Sequence, residues 1–319
     1  MRRQVPILTF LLLVGIPRIS LSAPQEQFSV KQSGWISSLA FSADGELLVN
    51  ACSDNAAHLR KTSTGEEIAT FTGHADYVSA VAFSPDTKTL ATGSYDHTAR
   101  LWNIGSKDSR VLSGHRGAVI AVSFSPDGTL LATGSLDSTI ILWRIKTARP
   151  YATLRGHKSW VNSLAFTSEG GAGMALVSGS SDGTVKTWNV KKHKLDQSIE
   201  ATNTEIRAIA VSADGQSIAA GLRYGAVKLF LKGKEALSFK AHDGDVWSLA
   251  FTPDGKTLIS GGGDWNKPGQ VKLWNAQTGQ LLSTLPNTGE VLSVGCSLAG
   301  NWIASGTWDK TLTVGRTNE

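Results

Sequence analysis

Cysteine is scarce in this sequence, with Cys52 and Cys296 the two among 319 residues. Two cysteines cannot build the disulfide framework that holds small secreted domains together. The sequence also lacks a proline-rich linker or a block of like charge that would mark a domain boundary. These absences favour one unit held by a hydrophobic core, for which the 41% content of hydrophobic residues is sufficient.

Clustered positive charge is missing as well. The formal net charge is +5, but Arg2, Arg3 and Arg18 lie in the N-terminal segment, and without them 28 basic residues face 26 acidic ones. The basic residues are scattered, and Lys191 and Lys192 form one small pair. A surface that binds nucleic acid needs clustered lysine and arginine, so the composition argues against a nucleic-acid partner.

The apolar run near the N-terminus, residues 5–16, is too short to span a bilayer comfortably. Arg2 and Arg3 precede it, and small residues lead to a cleavage point before Ala23. A positive start, a short apolar run and small residues at the cut are typical of a secretory signal peptide. The sequence therefore predicts a signal peptide over residues 1–22.

Cleavage there would leave residues 23–319 as an exported domain, periplasmic or extracellular, with no membrane attachment. Two alternatives stay open: an uncleaved membrane anchor over residues 5–16, and a cytoplasmic protein whose start is misassigned. An end at Ala23 or Pro24 in the mature protein would support export.

Catalytic and nucleotide-binding signatures are absent too. There is no nucleophile elbow, and Gly261-Gly262-Gly263 lacks the Lys-Ser/Thr pair of a phosphate-binding loop. His58, His97 and His193 show no metal-ligand spacing. The sequence predicts no catalytic residue, no metal site and no cofactor, so function has to be sought on a surface.

What the sequence does contain is a repeat. The apolar run Val78–Phe83 has counterparts throughout the chain, and its closing residue recurs every 40 to 45 positions. The counterparts are residues 36–41, 119–124, 161–166, 206–211, 246–251 and 291–296. Seven copies of one unit indicate a repeat architecture.

Each copy continues with turn and strand signals. Asp-Gly follows at 44–45, 127–128, 214–215 and 254–255, and Asp-Gly between alternating apolar runs favours a tight hairpin. A calcium loop is the alternative, but the further spaced carboxylates that it needs are missing. A second strand, a turn with an Asp, a third strand ending on Trp and a fourth strand complete the unit, as residues 90–113 illustrate. Four short antiparallel strands per unit are predicted.

Over residues 28–316 the chain resembles the WD-repeat family. Gly-His occurs at 73–74, 114–115 and 156–157, Ala-His at 241–242, and the closing tryptophans are Trp102, Trp143, Trp188 and Trp274. The Asp of the namesake dipeptide is replaced by Asn or Arg, and this position varies within the family. The resemblance implies an all-β, seven-bladed β-propeller with four-stranded antiparallel blades, in which the N-terminal strand closes the last blade.

The resemblance also implies a hydrogen-bonded tetrad of His, a hydroxyl, Asp and Trp in a blade. By position, the members are His74, Ser94, Asp96 and Trp102 in blade two, His115, Ser135, Asp137 and Trp143 in blade three, and His157, Ser180, Asp182 and Trp188 in blade four. Blade six keeps His242, Asp264 and Trp274, with Gly262 in place of the hydroxyl. A trio of His, Ser and Asp invites comparison with a catalytic triad, but its repetition with a Trp partner favours a structural role. Blades one, five and seven depart from the tetrad.

The two cysteines fall in the first and last blades, which are neighbours once the ring closes. Buried free thiols and a disulfide across the closure are both open. In this family the end that carries the turn Asp usually binds partners. Positions at that end carry Trp, Tyr and Arg, the types that dominate interface hot spots. They are Trp35, Tyr77, Tyr95, Trp160, Arg207, Arg223, Asp245, Trp247, Trp265 and Trp308.

The expected function is a non-catalytic scaffold, monomeric by itself, that binds a protein or peptide partner through this end of the propeller. The alternative is an enzyme, or a binder of a metal or small molecule, that uses the central funnel. Arg207, Arg223, Glu205 and Asp245 could supply polar groups there.

Overall fold

The computed structural model describes residues 24–169, 173–264, 267–287 and 289–317, so the predicted signal peptide and Trp265 lie outside the described residues. Strand β1 is Gln25–Lys31. In chain order the strands of blades one to three are β2 (Ile36–Phe41), β3 (Leu47–Cys52), β4 (Ala56–Lys61), β5 (Glu67–Thr72), β6 (Val78–Phe83), β7 (Thr89–Ser94), β8 (Thr98–Asn103), β9 (Ser109–Ser113), β10 (Val119–Phe124), β11 (Leu130–Ser135), β12 (Thr139–Arg144) and β13 (Arg149–Arg155).

Blades four to seven continue in the same order. Their strands are β14 (Val161–Glu169), β15 (Gly173–Ser180), β16 (Thr184–Asn189), β17 (Lys194–Glu200), β18 (Ile206–Val211), β19 (Ser217–Leu222), β20 (Ala226–Leu231), β21 (Lys234–Lys240), β22 (Asp245–Phe251), β23 (Thr257–Gly263), β24 (Gln270–Asn275), β25 (Leu281–Pro286), β26 (Val291–Cys296), β27 (Trp302–Thr307) and β28 (Thr311–Arg316). A single 3-10 turn, Arg223–Gly225, is the helical element of the described residues.

The described strands form seven four-stranded antiparallel sheets, and the first strand of each sheet contacts the first strands of both neighbouring sheets. This arrangement is a closed seven-bladed β-propeller, as predicted. The second strands are buried along nearly their whole length, as in β11, whereas outer strands such as β17 are mostly exposed. Burial is therefore greatest in the second strands and least in the outer strands, while the first strands, such as β10, are partly exposed along the central channel.

The hairpin turns predicted from Asp form as expected. The Ser42 hydroxyl donates to Asp44 at 2.5 Å, and Gly45 adopts a φ of 74°. The same side-chain bond joins Ser125 to Asp127 at 2.6 Å. The Asp carboxylate accepts a hydrogen bond from the hydroxyl two residues earlier and so stabilises the turn. The second strand of the blade begins directly after this turn.

The ring closes through the N-terminal strand. β1 pairs with β28 as the outer strand of the sheet that also contains β26 and β27. Phe28 and Val30 pack on buried residues of blades one and seven, such as Leu48 and Leu312. The predicted closure is confirmed, and β1 covers an edge of β28 that would otherwise be unpaired.

Both cysteines are free thiols. Cys52 ends a second strand, at the end of the ring where the loops between blades lie. Cys296 ends a first strand, at the opposite end. Adjacent blades therefore hold the two thiols at opposite ends of the propeller, which settles the choice for free thiols.

The hydrophobic core consists of separate clusters between neighbouring blades. In one of them Phe71 of blade one meets Trp102 of blade two with ring centroids 5.6 Å apart. Within the described parts of the chain, no helix has the length and hydrophobicity to cross a membrane.

Candidate functional site

Blades two, three and four each contain a hydrogen-bonded tetrad with the predicted His, Asp and Trp, and the tetrads are part of the framework that holds the loops. In blade two His74 Nδ1 lies 2.7 Å from Asp96 Oδ2, and its Nε2 lies 2.7 Å from the Thr92 hydroxyl. Trp102 Nε1 donates to the same hydroxyl at 2.9 Å. Blades three and four repeat these contacts through His115 and His157. Burial of each set behind a tryptophan supports the structural interpretation over a catalytic one.

The hydroxyl of each tetrad was predicted at the wrong position. The shared hydroxyls are those of Thr92, Thr133 and Ser178, two residues before the predicted Ser94, Ser135 and Ser180. Ser94 instead donates to Asp76 O at 2.9 Å and accepts from Asp96 N at 3.1 Å. Both positions face the same side of the strand because side chains alternate with a period of two. In blade two the earlier position, Thr92, lies beside the indole and supplies the hydroxyl of the tetrad. The later position, Ser94, bonds the backbone at Asp76 and Asp96.

In blade six, too, the tetrad hydroxyl lies two residues before the position assigned from the sequence. Ser260, two residues before Gly262, bonds His242 Nε2 and Trp274 Nε1, each at 2.8 Å. The hydroxyl is therefore present in this blade. Asp264 pairs with Lys267 at 2.5 Å. A Cβ at Gly262 would meet the His242 ring at 2.8 Å, so glycine is required for the close approach of the histidine.

The carboxylates of the tetrads stay ionised. Burial acts to raise the pKa of Asp96, but hydrogen bonds from Thr98 and His74 outweigh it and hold the pKa at about 2. Asp137 is held at a pKa of about 2 in the same way, chiefly by Thr139 and the backbone N–H of Arg116 against burial. Burial lowers the pKa of His74 below its usual range. A neutral imidazole accepts from the Thr92 hydroxyl, which in turn accepts from the indole.

Blade one replaces its tetrad with a different polar set. Gln32 stands four residues before the first strand, as His74 does in blade two, and Arg60 stands where Trp102 does. Arg60 donates to Gln32 Oε1 at 3.0 Å and forms an ion pair with Glu67. Asn50 occupies the position of the shared hydroxyl, fully buried.

A group in the same blade was missed by sequence reasoning, which expected no metal-ligand set. Cys52, Asp54 and His58 place their donor atoms within 4.8 Å of one another. The spacing Cys-x-Asp-x3-His across a hairpin turn was the available signal.

The predicted rim residues that the structure describes gather at one end of the ring. They lie just before the first strand of a blade, at the start of that strand, or in the turn after the second strand, and antiparallel alternation brings these places to the same end. In each blade the first strand also has a β-bulge, which leaves one residue unpaired and redirects its side chain. The residues that the bulges leave unpaired are Ser37, Ser79, Ile120, Asn162, Arg207, Trp247 and Leu292.

Four rim residues form an aromatic patch across blades seven, one and two: Trp308, Trp35, Tyr77 and Tyr95. Trp35 and Trp308 stack with ring centroids 4.4 Å apart, and Trp35 meets Tyr77 edge-on at 5.1 Å. Tyr77 and Tyr95 lie 5.8 Å apart. Tyr77, Tyr95 and Trp308 are 41%, 43% and 39% exposed, which leaves a continuous aromatic surface open to a partner.

Blades five and six supply a charged network on the same rim. Arg207 pairs with Glu205 at 2.7 Å and with Asp245 at 3.0 Å, and its guanidinium lies 4.7 Å from the Trp247 ring centroid. Arg223 pairs with Glu205 at 2.8 Å. The two arginines and Asp245 are therefore mutually held, and their positions are set before any partner arrives.

Trp247 also ties the network to blade seven. Its Nε1 donates to Glu290 at 2.6 Å. Burial raises the pKa of Glu290, with the charges of Asp245 and Asp264 adding to the effect against the Trp247 bond. Glu290 was not among the predicted rim residues.

Trp160 stands apart from both groups and is 46% exposed. Tyr224, missed by the prediction, is the most exposed aromatic side chain named here, at 59%. It occupies the turn position that Asp96 holds in blade two and has a φ of 67°. Blades two, three and four carry Asp at this turn position, so a tyrosine there was the sequence signal for an exposed aromatic side chain.

Two cavities bear on ligand binding. The central channel, lined by the first strands at residues such as Ser79, Asn162 and Arg207, has a volume of about 160 Å³. A cavity of about 630 Å³ lies between blades five and six at the opposite end from the rim, beside Asp214, Leu237 and Lys256. The aromatic patch borders neither of them.

Comparison with known proteins gives matches over most of the chain. A family described as the IFT122 first beta-propeller matches residues 105–314, and the WD domain, G-beta repeat, matches residues 24–59 and 65–103. Eukaryotic translation initiation factor 3 subunit I of Aspergillus niger is 36% identical over 69 residues, 22% of this chain and 20% of that protein. The same subunit of Neosartorya fischeri is 38% identical over 69 residues, with the same coverage.

A bacterial relative gives a higher identity. An uncharacterized WD repeat-containing protein of Synechocystis is 45% identical over 69 residues, 21% of this chain and 20% of that protein. The chain thus matches about a fifth of the length of each of these relatives.

Proposed function

The chain belongs to the WD-repeat β-propellers, within the family described as the IFT122 first beta-propeller, and from that premise we propose that it is a non-catalytic scaffold. It binds a protein or peptide partner at the rim end of the ring. The aromatic patch is the centre of the binding surface, and the charged network of blades five and six lies at its side.

One observation carries this proposal: four aromatic side chains from three blades contact one another, and three of them, Tyr77, Tyr95 and Trp308, remain exposed. Burying Trp and Tyr side chains of this size dominates the energetics of interfaces, and clustered hot spots lie near the interface centre. The stacking of Trp35 on Trp308 holds the patch in place. A partner would therefore bind without the entropy cost of ordering these rings.

The charged network supports selectivity for the partner. Arg207 and Arg223 are paired with Glu205 and Asp245, so the net charge of the group is close to balanced. Such a network favours partners with complementary polar groups and disfavours mismatched ones.

The central funnel is a weaker candidate for small-molecule chemistry. Its volume of about 160 Å³ is below the roughly 300–1,000 Å³ of ordinary ligand pockets. The described tetrads use their histidines and carboxylates internally, which leaves the rim as the favoured surface.

Photo-crosslinking tests the proposed surface. A photoreactive phenylalanine analogue in place of Tyr95 is expected to crosslink a partner in the native cells. The same analogue in place of Leu298, 66% exposed in a turn at the opposite end, is the matched control and is expected to give no such product.

Substitution then measures the contribution of the patch. Tyr77→Ser with Tyr95→Ser should weaken binding of the crosslinked partner at least tenfold, whereas Leu231→Ser with Leu298→Ser should leave it unchanged. Unaltered affinity in the tyrosine variant, with equal melting temperatures, would refute the patch. Crosslinks from position 298 to the same partner would place the interface at the other end.

Export is a separate proposal, supported by the sequence of residues 1–22. N-terminal sequencing of the protein purified from its native cells should give a mature end at Ala23 or Pro24. An end at Met1 or Arg2 would contradict cleavage and favour an anchored or cytoplasmic protein.

A further inference from the structure

We propose that the hairpin between β3 and β4 in blade one binds a divalent metal ion, Zn²⁺ by its ligand chemistry, through Cys52, Asp54 and His58. This site shares no side chain with the aromatic patch, although Ser53 of the same turn bonds the backbone of Trp35, and it does not depend on the proposed partner. The ligand set combines a thiolate, a carboxylate and an imidazole, which together suit Zn²⁺.

The hairpin brings the three side chains together from a short stretch of chain. Cys52 is the last residue of β3, Asp54 lies in the turn and His58 is the third residue of β4. The donor atoms lie within 4.8 Å of one another, and His58 Nε2 is 3.0 Å from Asp54 Oδ2. Ligands around tetrahedral zinc stand roughly 3.3–3.8 Å apart, so shifts of about 1 Å complete the set.

A carboxylate next to the ring nitrogen that faces away from Asp54 orients the His58 imidazole, as is usual for metal-binding histidines. His58 Nδ1 lies 3.3 Å from Glu67 Oε1, so the other ring nitrogen is the one that faces Asp54. Glu67 in turn accepts from Thr70 at 2.6 Å and pairs with Arg60. A carboxylate on the far nitrogen fixes the tautomer and raises the basicity of the ligating nitrogen.

Unpartnered polar groups next to the three side chains point to a missing ligand. Asn50 lies directly opposite His58 in the β3–β4 ladder and is fully buried. Neither polar atom of the Asn50 side chain has a hydrogen-bond partner among the described residues, and the same holds for Nε2 of Gln32. Buried amides of this kind are nearly always bonded, so their state indicates a water or ion that completes the face.

Other blades repeat the carboxylate, as Asp96 and Asp182 show, but not the thiol and the imidazole. Blade two has Ser94 and Arg100 where blade one has Cys52 and His58, and blade four has Ser180 and Lys186. Arginine and lysine side chains cannot serve as ligands while charged. The thiol and the imidazole of blade one are therefore not a by-product of the repeat.

The turn gives an ion a route to the three ligands. Cys52 and His58 are buried, whereas the Asp54 side chain is 23% exposed at the rim end, so an ion enters past the carboxylate. Three protein ligands leave a fourth position for water. Binding replaces the protons held by the thiol and the imidazole, which are released to solvent.

Cobalt titration tests the site directly. The purified chain, reduced and freed of metal with a chelator, is titrated with Co²⁺, with Zn²⁺ as competitor. We expect one equivalent to bind with a thiolate-to-cobalt charge-transfer band and with the intense visible bands of tetrahedral cobalt, and one equivalent of Zn²⁺ to abolish both. A weak octahedral spectrum without the thiolate band would overturn the proposal.

Variants taken from the protein's own repeats keep the fold intact. Cys52→Ser and His58→Lys place in blade one what blade four carries at the same positions, and each should remove the charge-transfer band and weaken Co²⁺ binding at least a hundredfold. Glu67→Gln, which acts on the imidazole from behind, should weaken it about tenfold. Cys296→Ser is the matched control, since it removes the other thiol, and should bind normally.

The binding measurements on these variants test the proposed metal site directly. Binding unchanged in the Cys52→Ser variant, or lost in the Cys296→Ser variant, would overturn the site. Melting curves with and without Zn²⁺ give a second measurement: the wild type should melt higher with the metal and the Cys52→Ser variant should not. Equal shifts in both proteins would likewise contradict the proposal.

Discussion

Single side chains in the tetrads show how a small hydroxyl can order a blade. Thr92 links an imidazole from the loop before β6 and an indole from β8, with bonds of 2.7 Å and 2.9 Å. It can do so because a hydroxyl is both donor and acceptor. All three groups are buried, so each depends on the others for its hydrogen bonds.

Removing the Thr92 hydroxyl should therefore cost more than removing that of Ser94. Thr92→Val leaves His74 Nε2 and Trp102 Nε1 buried without a partner, and we expect a loss of about 2–4 kcal/mol in the free energy of unfolding. Ser94→Ala removes bonds within the turn and should cost about 1 kcal/mol. Urea denaturation of the two variants measures the difference, and the reverse order would contradict the corrected tetrad.

The histidine of blade six should make stability depend on pH. Burial and the charges of Lys272 and Lys240, against that of Asp243, lower the pKa of His242 to about 4, and Ser260 bonds its Nε2. A lowered pKa contributes stability that is complete above the unfolded value of 6.5 and is lost as the pH falls through 4. Relative to His242→Asn, the wild type should lose about 2–3 kcal/mol between pH 6.5 and 4.

Denaturation curves at pH 7, 5.5 and 4 test this pH dependence. The stability difference between wild type and His242→Asn should shrink as the pH falls. A constant difference would show that His242 has the same pKa in the folded and unfolded chains.

Strands and turns are where the blades place their functional residues. The bulge in each first strand leaves Arg207 and Trp247 unpaired by the ladder and turned to the rim. The turn after the second strand requires a left-handed residue, supplied by Ser138 in blade three (φ 67°) and Gly183 in blade four (φ 80°). The same turn therefore tolerates different residues according to its neighbours.

A reciprocal exchange tests this tolerance. Gly183→Ser should lower the free energy of unfolding by more than about 2 kcal/mol, because its Cβ would collide with the carbonyl oxygens of Thr202 and Thr204 in the next loop. Ser138→Gly relieves the left-handed strain of serine but frees the unfolded chain, so a change within about 1 kcal/mol is expected. Thermal unfolding of both variants checks the contrast, and equal effects would contradict it.

The molecule as a whole depends on one non-local pairing. β1 comes first in the chain but forms the outer strand of the last blade, where Phe28 and Val30 cover Leu312 and Val314. The remaining blades are each built from consecutive strands. Closure is therefore the step that turns a row of blades into a ring.

Weakening that strand should destabilise the whole ring. Phe28→Ala with Val30→Ala removes apolar contacts at the closure and should cost about 2–4 kcal/mol in the free energy of unfolding. Glu26→Ala, on an exposed position of the same strand, is the control and should change little. Calorimetry on both variants measures this, and an unaltered melting temperature in the double variant would argue against closure by β1.

Seven four-stranded units and their hairpin turns could be predicted from the amino-acid sequence alone, because periodic apolar runs and Asp-Gly turns act locally, and the resemblance of the repeat implied the closing strand. The sequence also placed His74, Asp96 and Trp102 in one group through the resemblance of the repeat. The tertiary structure decided between Thr92 and Ser94, since alternate residues of a strand face the same side and only the position of the indole distinguishes them. It likewise decided which rim residues touch: the stack of Trp35 on Trp308 joins side chains 273 positions apart, and only ring closure brings their blades together.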